Sequence, residues 1–358
     1  MAPAPSTWVL HVDLDQFIAA VEVLRRPELS GRKVIVGGRG DPTERAVVAT
    51  ASYEARELGI GSGMPLRTAH RLAPDAVFLP LDRPAYDSVS AEVMATLRRR
   101  GRLEVLGWDE AFLAYDGDDP EAFARTVQSD VLTSTRLHCS IGIGDNKIRA
   151  KIATGFGKPR GRFRLTSDTW FEVMGARPTR ELWGVGAAVA KRLTAHGIRT
   201  VSQLADADPA MLIAEFGPRL GAWYGSLGKG LGSRTVDDTP WVARGFSRET
   251  TYQRDLTEAD QVAESVKVLT DQVMQDVLRD GRPVIRLTLK VRYVPFDTKT
   301  FSRTLPEPTS DVRVIEDAAL TLAGKRAEGR AIRLLGLRAE MAMPEPDTVE
   351  RTPIRGRL

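Results

Sequence analysis

The chain has 358 residues, 42% apolar and 27% charged, which is too long for one ordinary domain and too apolar for a disordered chain. No apolar run reaches 18 residues, residues 1–6 lack the basic start and long apolar core of a secretory leader, and one cysteine, Cys139, excludes a disulfide or a multi-cysteine zinc site. The balance of 51 basic and 47 acidic residues gives +4, weak testimony for a polyanionic partner until its distribution is known; a reduced, cytoplasmic protein that does not engage membranes is expected.

Taken in chain order, residues 7–13 read as a strand ending in acids and 17–24 as a helix. A section over 27–80, punctuated by Gly and Pro, holds a strand at 33–36 and a helix at 65–72. A helix follows at 86–100, then strands at 103–106 and 111–115 meeting at Gly107-Trp108-Asp109-Glu110, a helix at 120–136, a strand at 138–143 and a helix at 146–154. Without the 27–80 section, the order is the split β-α-β-β-α-β of ferredoxin-like folds, with that section inserted after the first helix. Residues 168–232 read as short helices and 233–245 as a polar linker. Beyond it come a helix at 258–278, a strand at 284–293, a helix at 312–324 and a strand at 331–340, while 344–358 is expected to be disordered.

Asp13 and Asp15 end the first strand, and Asp109 and Glu110 stand at the turn between the two central strands. The ferredoxin-like order can bring both pairs to one sheet edge. Converging carboxylates repel and lose hydration unless a cation neutralises them. Oxygen ligands without histidine or thiol favour Mg²⁺ or Mn²⁺ over zinc. Two such ions about 3.5–4 Å apart would suit a phosphoryl transfer. Solvated turn acids are the plain alternative.

The surrounding motifs narrow the choice. His11-Val12-Asp13-Leu14-Asp15-Gln16-Phe17 with Ala19-Ala20-Val21-Glu22 resembles the opening motif of the Y-family DNA polymerases, in their DNA polymerase IV (DinB) branch. Ala49-Thr50-Ala51-Ser52-Tyr53-Glu54-Ala55-Arg56 with Gly59-Ile60 and Gly63-Met64-Pro65 resembles the family's fingers motif, and Gly107-Trp108-Asp109-Glu110-Ala111-Phe112-Leu113 its catalytic hairpin. The stretch from Ser140 to Gly144, with Asn146-Lys147, Ala150-Lys151-Ile152-Ala153 and Gly157-Lys158-Pro159, resembles the last palm motif.

The resemblance implies an α+β multidomain chain: a catalytic palm over 1–26 and 81–167, inserted fingers over 27–80, a helical thumb over 168–232, a linker over 233–243, and a DNA-binding little finger over 244–343. It implies that Asp13 and Asp109 ligate two divalent ions, Mg²⁺ or Mn²⁺, with Glu110 on the catalytic one and the backbone carbonyl of Leu14 completing the nucleotide-metal shell. Tyr53, Arg56, Lys158 and Thr50 would hold a triphosphate; Asp15 is left open between structure and catalysis. Gly107 stands where many relatives carry Ser, which removes a hydroxyl and leaves the carboxylates intact. Phe17 and Ile18 fall beside the sugar, and Ile18 occupies the position where relatives carry an aromatic gate against a 2′-hydroxyl. Phe17 is expected to point elsewhere, so ribonucleoside triphosphates as well as deoxynucleoside triphosphates are expected substrates.

Two further features suit DNA. Gly184-Val185-Gly186 precedes a helix, with Gly197 at its end and Thr200 and Gln203 at capping-box spacing. This looks like a helix-hairpin-helix whose backbone N–H groups meet a phosphate; a plain αα-hairpin is the alternative. Along 284–293, Arg286, Lys290 and Arg292 alternate with apolar residues, and 282–303 holds six cations against Asp297 alone. Such a face suits duplex phosphates. With only 6% aromatic residues, stacking platforms for single strands are not expected, and primer-template DNA is the expected partner. A template-independent nucleotidyl transferase would not need these features, and a DNA-binding scaffold with a dead palm would have lost Asp13, Asp109 or Glu110. The reading is a low-fidelity translesion polymerase without proofreading, monomeric. Its tail, 350–358, lacks the Gln and apolar cluster of a clamp-docking peptide, so tail-mediated sliding-clamp contact is not expected.

Overall fold

A computed structural model describes residues 7–344. The disorder and clamp expectations for the C-terminal tail lie on residues outside the described ones. The palm is built on β1 (Trp8–Leu14) and α1 (Phe17–Arg25) and resumes after an insertion. The insertion contains β2 (Val34–Val36), β3 (Thr50–Ala51), α2 (Tyr53–Arg56), α3 (Leu66–Leu72) and β4 (Val77–Leu79). Its three strands run β3-β2-β4 over a core of Ile35, Val48, Ala55, Ile60 and Leu66.

The chain returns through α4 (Arg83–Arg98), whose Asp82 cap accepts the Ala85 N–H. That cap starts the helix three residues before the apolar period shows it. Then come β5 (Leu103–Val105), β6 (Glu110–Tyr115), α5 (Pro120–Thr135), β7 (Cys139–Gly144), α6 (Lys147–Gly157) and β8 (Arg162–Leu165). The sheet order is β5-β6-β1-β7-β8, the ferredoxin-like order with one added strand parallel to β7. Here the structure corrects one expectation: β1 is central and only β6 of the two hairpin strands flanks it, so the acids meet mid-sheet and not at an edge.

Both faces of β1 are covered. Leu10, Val12 and Leu14 pack against α1, α4 and α5, while Val9 and Phe112 face Ala150 of α6. Gly142 and Gly144 allow this close approach: a Cβ at Gly142 would stand 2.0 Å from the Ala150 carbonyl oxygen, and one at Gly144 would stand 2.4 Å from the Ala150 nitrogen.

The thumb follows: α7 (Trp170–Met174), α8 (Ala187–Ala195), α9 (Val201–Ala205), α10 (Pro209–Phe216) and α11 (Pro218–Gly228), packed on Ile148 and Ile152 of α6. The predicted capping box at Thr200 and Gln203 is present, and Gly197 has φ +78° after α8. Residues 233–243 have no regular structure, yet they are not free. Val236 is fully buried against Val9 and Phe112, the Asp237 N–H donates to Glu104, and Ser233 accepts the Lys147 N–H.

The little finger comprises β9 (Gly245–Leu256), α12 (Ala259–Asp280), β10 (Val284–Tyr293), β11 (Asp297–Thr309), α13 (Val312–Ala323) and β12 (Ile332–Met341). Its strands run β11-β10-β12-β9, with α12 and α13 on one face. Among the described residues no helix is long and apolar enough to cross a membrane.

Candidate active site

Antiparallel pairing sets Asp13 opposite Glu110, and the Leu14 N–H donates to the Asp109 carbonyl at 2.8 Å. Thus the end of β1 and the start of β6 present Asp13, Asp109 and Glu110 together. Asp109 is pushed up to about 6 by burial, then by Asp13 and Glu110. Burial would also raise Glu110, but His11 and Lys151 outweigh it and hold its carboxyl at about 2.

Two lysines meet the acids. Lys158 Nζ lies 2.6 Å from Asp13, and Lys151 pairs with Glu110. Sequence reasoning passed over His11, which is 1% exposed, with Nδ1 2.8 Å from the Thr154 hydroxyl and Nε2 3.3 Å from Glu110. His11, Asp13 and Glu110 have ligand atoms close enough to share one ion. Two half-buried carboxylates beside a buried imidazole, with Asp109 raised next to them, fit a divalent cation.

Asp15 is 4% exposed and fully engaged. Its Oδ1 accepts from the hydroxyls of Tyr53 (2.8 Å) and Ser140 (2.9 Å), and its Oδ2 accepts from the Arg160 N–H (2.8 Å). This carboxylate ties fingers, palm strand and the turn after Lys158 together.

A cavity of about 290 Å³ opens beside Asp13 and Asp109. Leu14, Phe17, Ile18, Thr50, Arg56, Trp108 and Lys158 line it. Phe17 and Ile18, successive positions at the start of α1, both line this cavity and both belong to the palm core, 3% and 7% exposed. Arg56 Nε donates to the Ala51 carbonyl at 2.8 Å, and its Nη2 is 3.5 Å from the Thr50 hydroxyl. Tyr53 is turned toward Asp15 on a neighbouring cavity, and Glu110 toward His11 and Lys151.

Gly184 (φ +85°), buried Val185 and Gly186 form the turn into α8, and a Cβ at Gly184 would strike the Trp223 ring. In the little finger, Arg286, Lys290 and Arg292 share the face opposite the helices with Thr304, Thr300 and Thr298 of β11. The sequence count of cations overstated this face. Lys290 bonds Glu249 of β9 at 2.6 Å, and Arg282 bonds Asp280, so acids outside 282–303 compensate two of the six. Arg338, opposite Thr288, adds a cation that the reading of one strand missed.

The family model described as "impB/mucB/samB family" matches residues 12–155, and that of its C-terminal domain matches 243–350. The chain is 48% identical over 347 residues to DNA polymerase IV 2 of Mycobacterium tuberculosis, covering 96% of this chain and 100% of that one. It is 40% identical over 341 residues to DNA polymerase IV of Methanoculleus marisnigri, covering 93% and 94%. Among solved structures it resembles a Y-family DNA polymerase chimera (TM-score 0.81, 24% identity, 93% and 98% covered) and DinB from Sulfolobus solfataricus (TM-score 0.60, 24% identity, 93% and 98% covered), which speak to the fold. With carboxylates, fold and both family segments in agreement, the chain belongs to the impB/mucB/samB family, in the DNA polymerase IV branch of the Y-family DNA polymerases.

Proposed function

We propose that this enzyme extends a primer on a DNA template with low fidelity and accepts ribonucleotides as well as deoxynucleotides. The observation that carries the polymerase reading is the meeting of Asp13 with Asp109 and Glu110 beside a cavity lined by Thr50, Arg56 and Lys158. Asp13, Asp109, Glu110 and the Leu14 carbonyl would hold two divalent ions, Mg²⁺ or Mn²⁺. When bound, these supply positive charge to the attacking and leaving oxygens. The primer 3′-oxygen attacks the α-phosphorus, its proton is lost, and the bond to pyrophosphate breaks. Arg56 and Lys158 neutralise the triphosphate, with Thr50 and Tyr53 as further contacts, and positioning does much of the work. For Lys158 this requires leaving Asp13, a move that an incoming cation at Asp13 favours. The turn at Gly184-Val185-Gly186 and the face of Arg286, Lys290 and Arg292 would grip phosphates of the primer-template duplex.

Asp109→Ala should abolish extension while leaving duplex affinity within about twofold, because its charge acts in the transition state. Near-normal extension by this variant would remove the metal-site assignment.

The sugar reading rests on Ile18, a branched aliphatic on the cavity wall, where it leaves space that a broad aromatic ring would fill. A pocket without steric overlap cannot strongly reject an added hydroxyl. The test is the kcat/KM ratio for deoxy- over ribonucleotide. Ile18→Phe should raise it about tenfold or more, and Phe17→Leu, which thins the same wall, should lower it less. A high wild-type ratio unmoved by Ile18→Phe would place the gate elsewhere.

A further inference from the structure

A second cavity, about 190 Å³, adjoins the nucleotide pocket. Arg32, Arg136, Arg160 and His138 line it, with the carboxylates of Asp15 and Glu54. Asp15 is already saturated by Tyr53, Ser140 and the Arg160 N–H. None of the three arginines makes an ion pair within 4 Å among the described residues. The His138 imidazole is held below its ordinary basicity by burial and then by Arg160, against the opposing pull of Asp15.

The backbone points to the same place. Among the described residues, three that are not glycine have left-handed φ: Gln16 (44°), Arg136 (60°) and Arg160 (58°), and all three stand on this wall. Arg136 ends α5, its N–H bonded to the Leu132 carbonyl, at a position where glycine is the usual residue. A side chain there costs backbone strain that glycine would avoid. Strain of this kind is retained where the side chain is used.

The two cavities are neighbours through alternate residues of the same segments. Asp13, Arg56 and Lys158 line the nucleotide pocket, Asp15, Tyr53 and Arg160 line the second cavity, and Gln16 lines both. The Tyr53 N–H donates to the side-chain Oε1 of Gln16 at 2.6 Å, which holds this shared wall residue in place. An anion leaving the Lys158 side thus meets Arg160 and Arg136 next. Guanidinium forks suit the oxygens of linked phosphates.

We propose that this cavity is an exit site for the pyrophosphate released by nucleotidyl transfer. The inference rests on the polymerase reading of the adjoining pocket. Its test uses the full chain with Arg136→Gln and Arg160→Gln combined, both exposed side chains. The inhibition constant of added inorganic pyrophosphate in primer extension should rise about tenfold. With inorganic pyrophosphatase present, kcat/KM for the deoxynucleotide should stay within twofold, as should duplex affinity. Unchanged pyrophosphate inhibition would overturn the proposal. So would a parallel fall in kcat/KM, which would put the arginines in the nucleotide pocket, or a loss of duplex affinity, which would make this a DNA-phosphate contact. If the wild type extends no primer, the polymerase reading fails by itself. Calorimetric titration with pyrophosphate then separates the two: binding lost in the double variant keeps an anion site without the exit role, and equal binding removes the site as well.

Discussion

Asp109 is the least comfortable charge in the molecule, and its discomfort has a sign. Its folded pKa is about 6 against an ordinary 3.8, so between those values the folded state binds more protons than the unfolded one. Its contribution to metal-free stability is therefore present below about pH 4 and is lost as pH rises through 6. Asp109→Asn removes the repulsion and should stabilise the metal-free protein at pH 7.5 by about 1–2 kcal/mol, while ending activity. Thermal melts with and without Mg²⁺ check this; a variant melting below the wild type without metal would refute it. Asp15 behaves oppositely. In Asp15→Asn an amide facing the Arg160 N–H sets donor against donor, and one turned to the two hydroxyls makes them accept and takes the acceptor from their own protons. We expect a loss of about 1–3 kcal/mol and a raised KM for nucleotide, since Tyr53 and the Lys158–Arg160 turn lose their common anchor. Denaturant melts and steady-state kinetics would show both. The acids were legible because the members of each pair lie within two positions of one another in sequence. Their partners were not: Lys151 reaches His11 across 140 positions, and nothing local in the helix 147–157 marks which face meets β1.

At the scale of elements, long strands with one strongly apolar face were readable, and polar or very short ones were not. Residues 284–293 alternate, and β10 has those bounds. β9 and β11 were missed because they flank the sheet and carry charge and Thr at most positions. Pro306 and Pro308 sit in edge strand β11, near the register shift between Val284 and Arg286, where a missing N–H costs no central ladder bond. Pairing also revises which cations are available. Lys290 is engaged by Glu249, whereas Arg292 Nε bonds only the Thr298 hydroxyl in its own hairpin and Arg286 stands opposite Thr304. Arg286→Ala with Arg292→Ala should therefore reduce the salt slope of duplex binding by about 2, and Lys290→Ala by less than 1. Binding measured from low to moderate salt decides this; an equal or larger effect of Lys290 would show that the Glu249 pair opens on DNA.

At the scale of the whole molecule, fingers and little finger meet at a residue that no sequence pattern flags. Arg45, between β2 and β3, donates its N–H to Gln253 Oε1 at 2.7 Å and its Nη1 to the Tyr252 carbonyl at 3.2 Å, and pairs with Asp255. These partners lie 207 to 210 positions away, on β9. Both side chains of the pair are about three-quarters covered, so the contact is screened less than an open surface pair. The segment 233–243 is in turn pinned to the palm by Val236. Among the described residues the little finger is thus held by an ionic contact with the fingers and by the largely apolar anchor of its linker. The ionic one is the more sensitive to salt. Arg45→Ala and Asp255→Ala should each loosen the little finger without unfolding it, and in a double-mutant cycle they should couple by about 0.5–3 kcal/mol. The loosening should appear as a larger radius of gyration by solution scattering and as faster proteolysis within 233–243. High salt should produce the same change in the wild type and little further change in the double variant. A radius indifferent to both substitutions would mean that Val236 and the palm contacts alone set the position of the little finger.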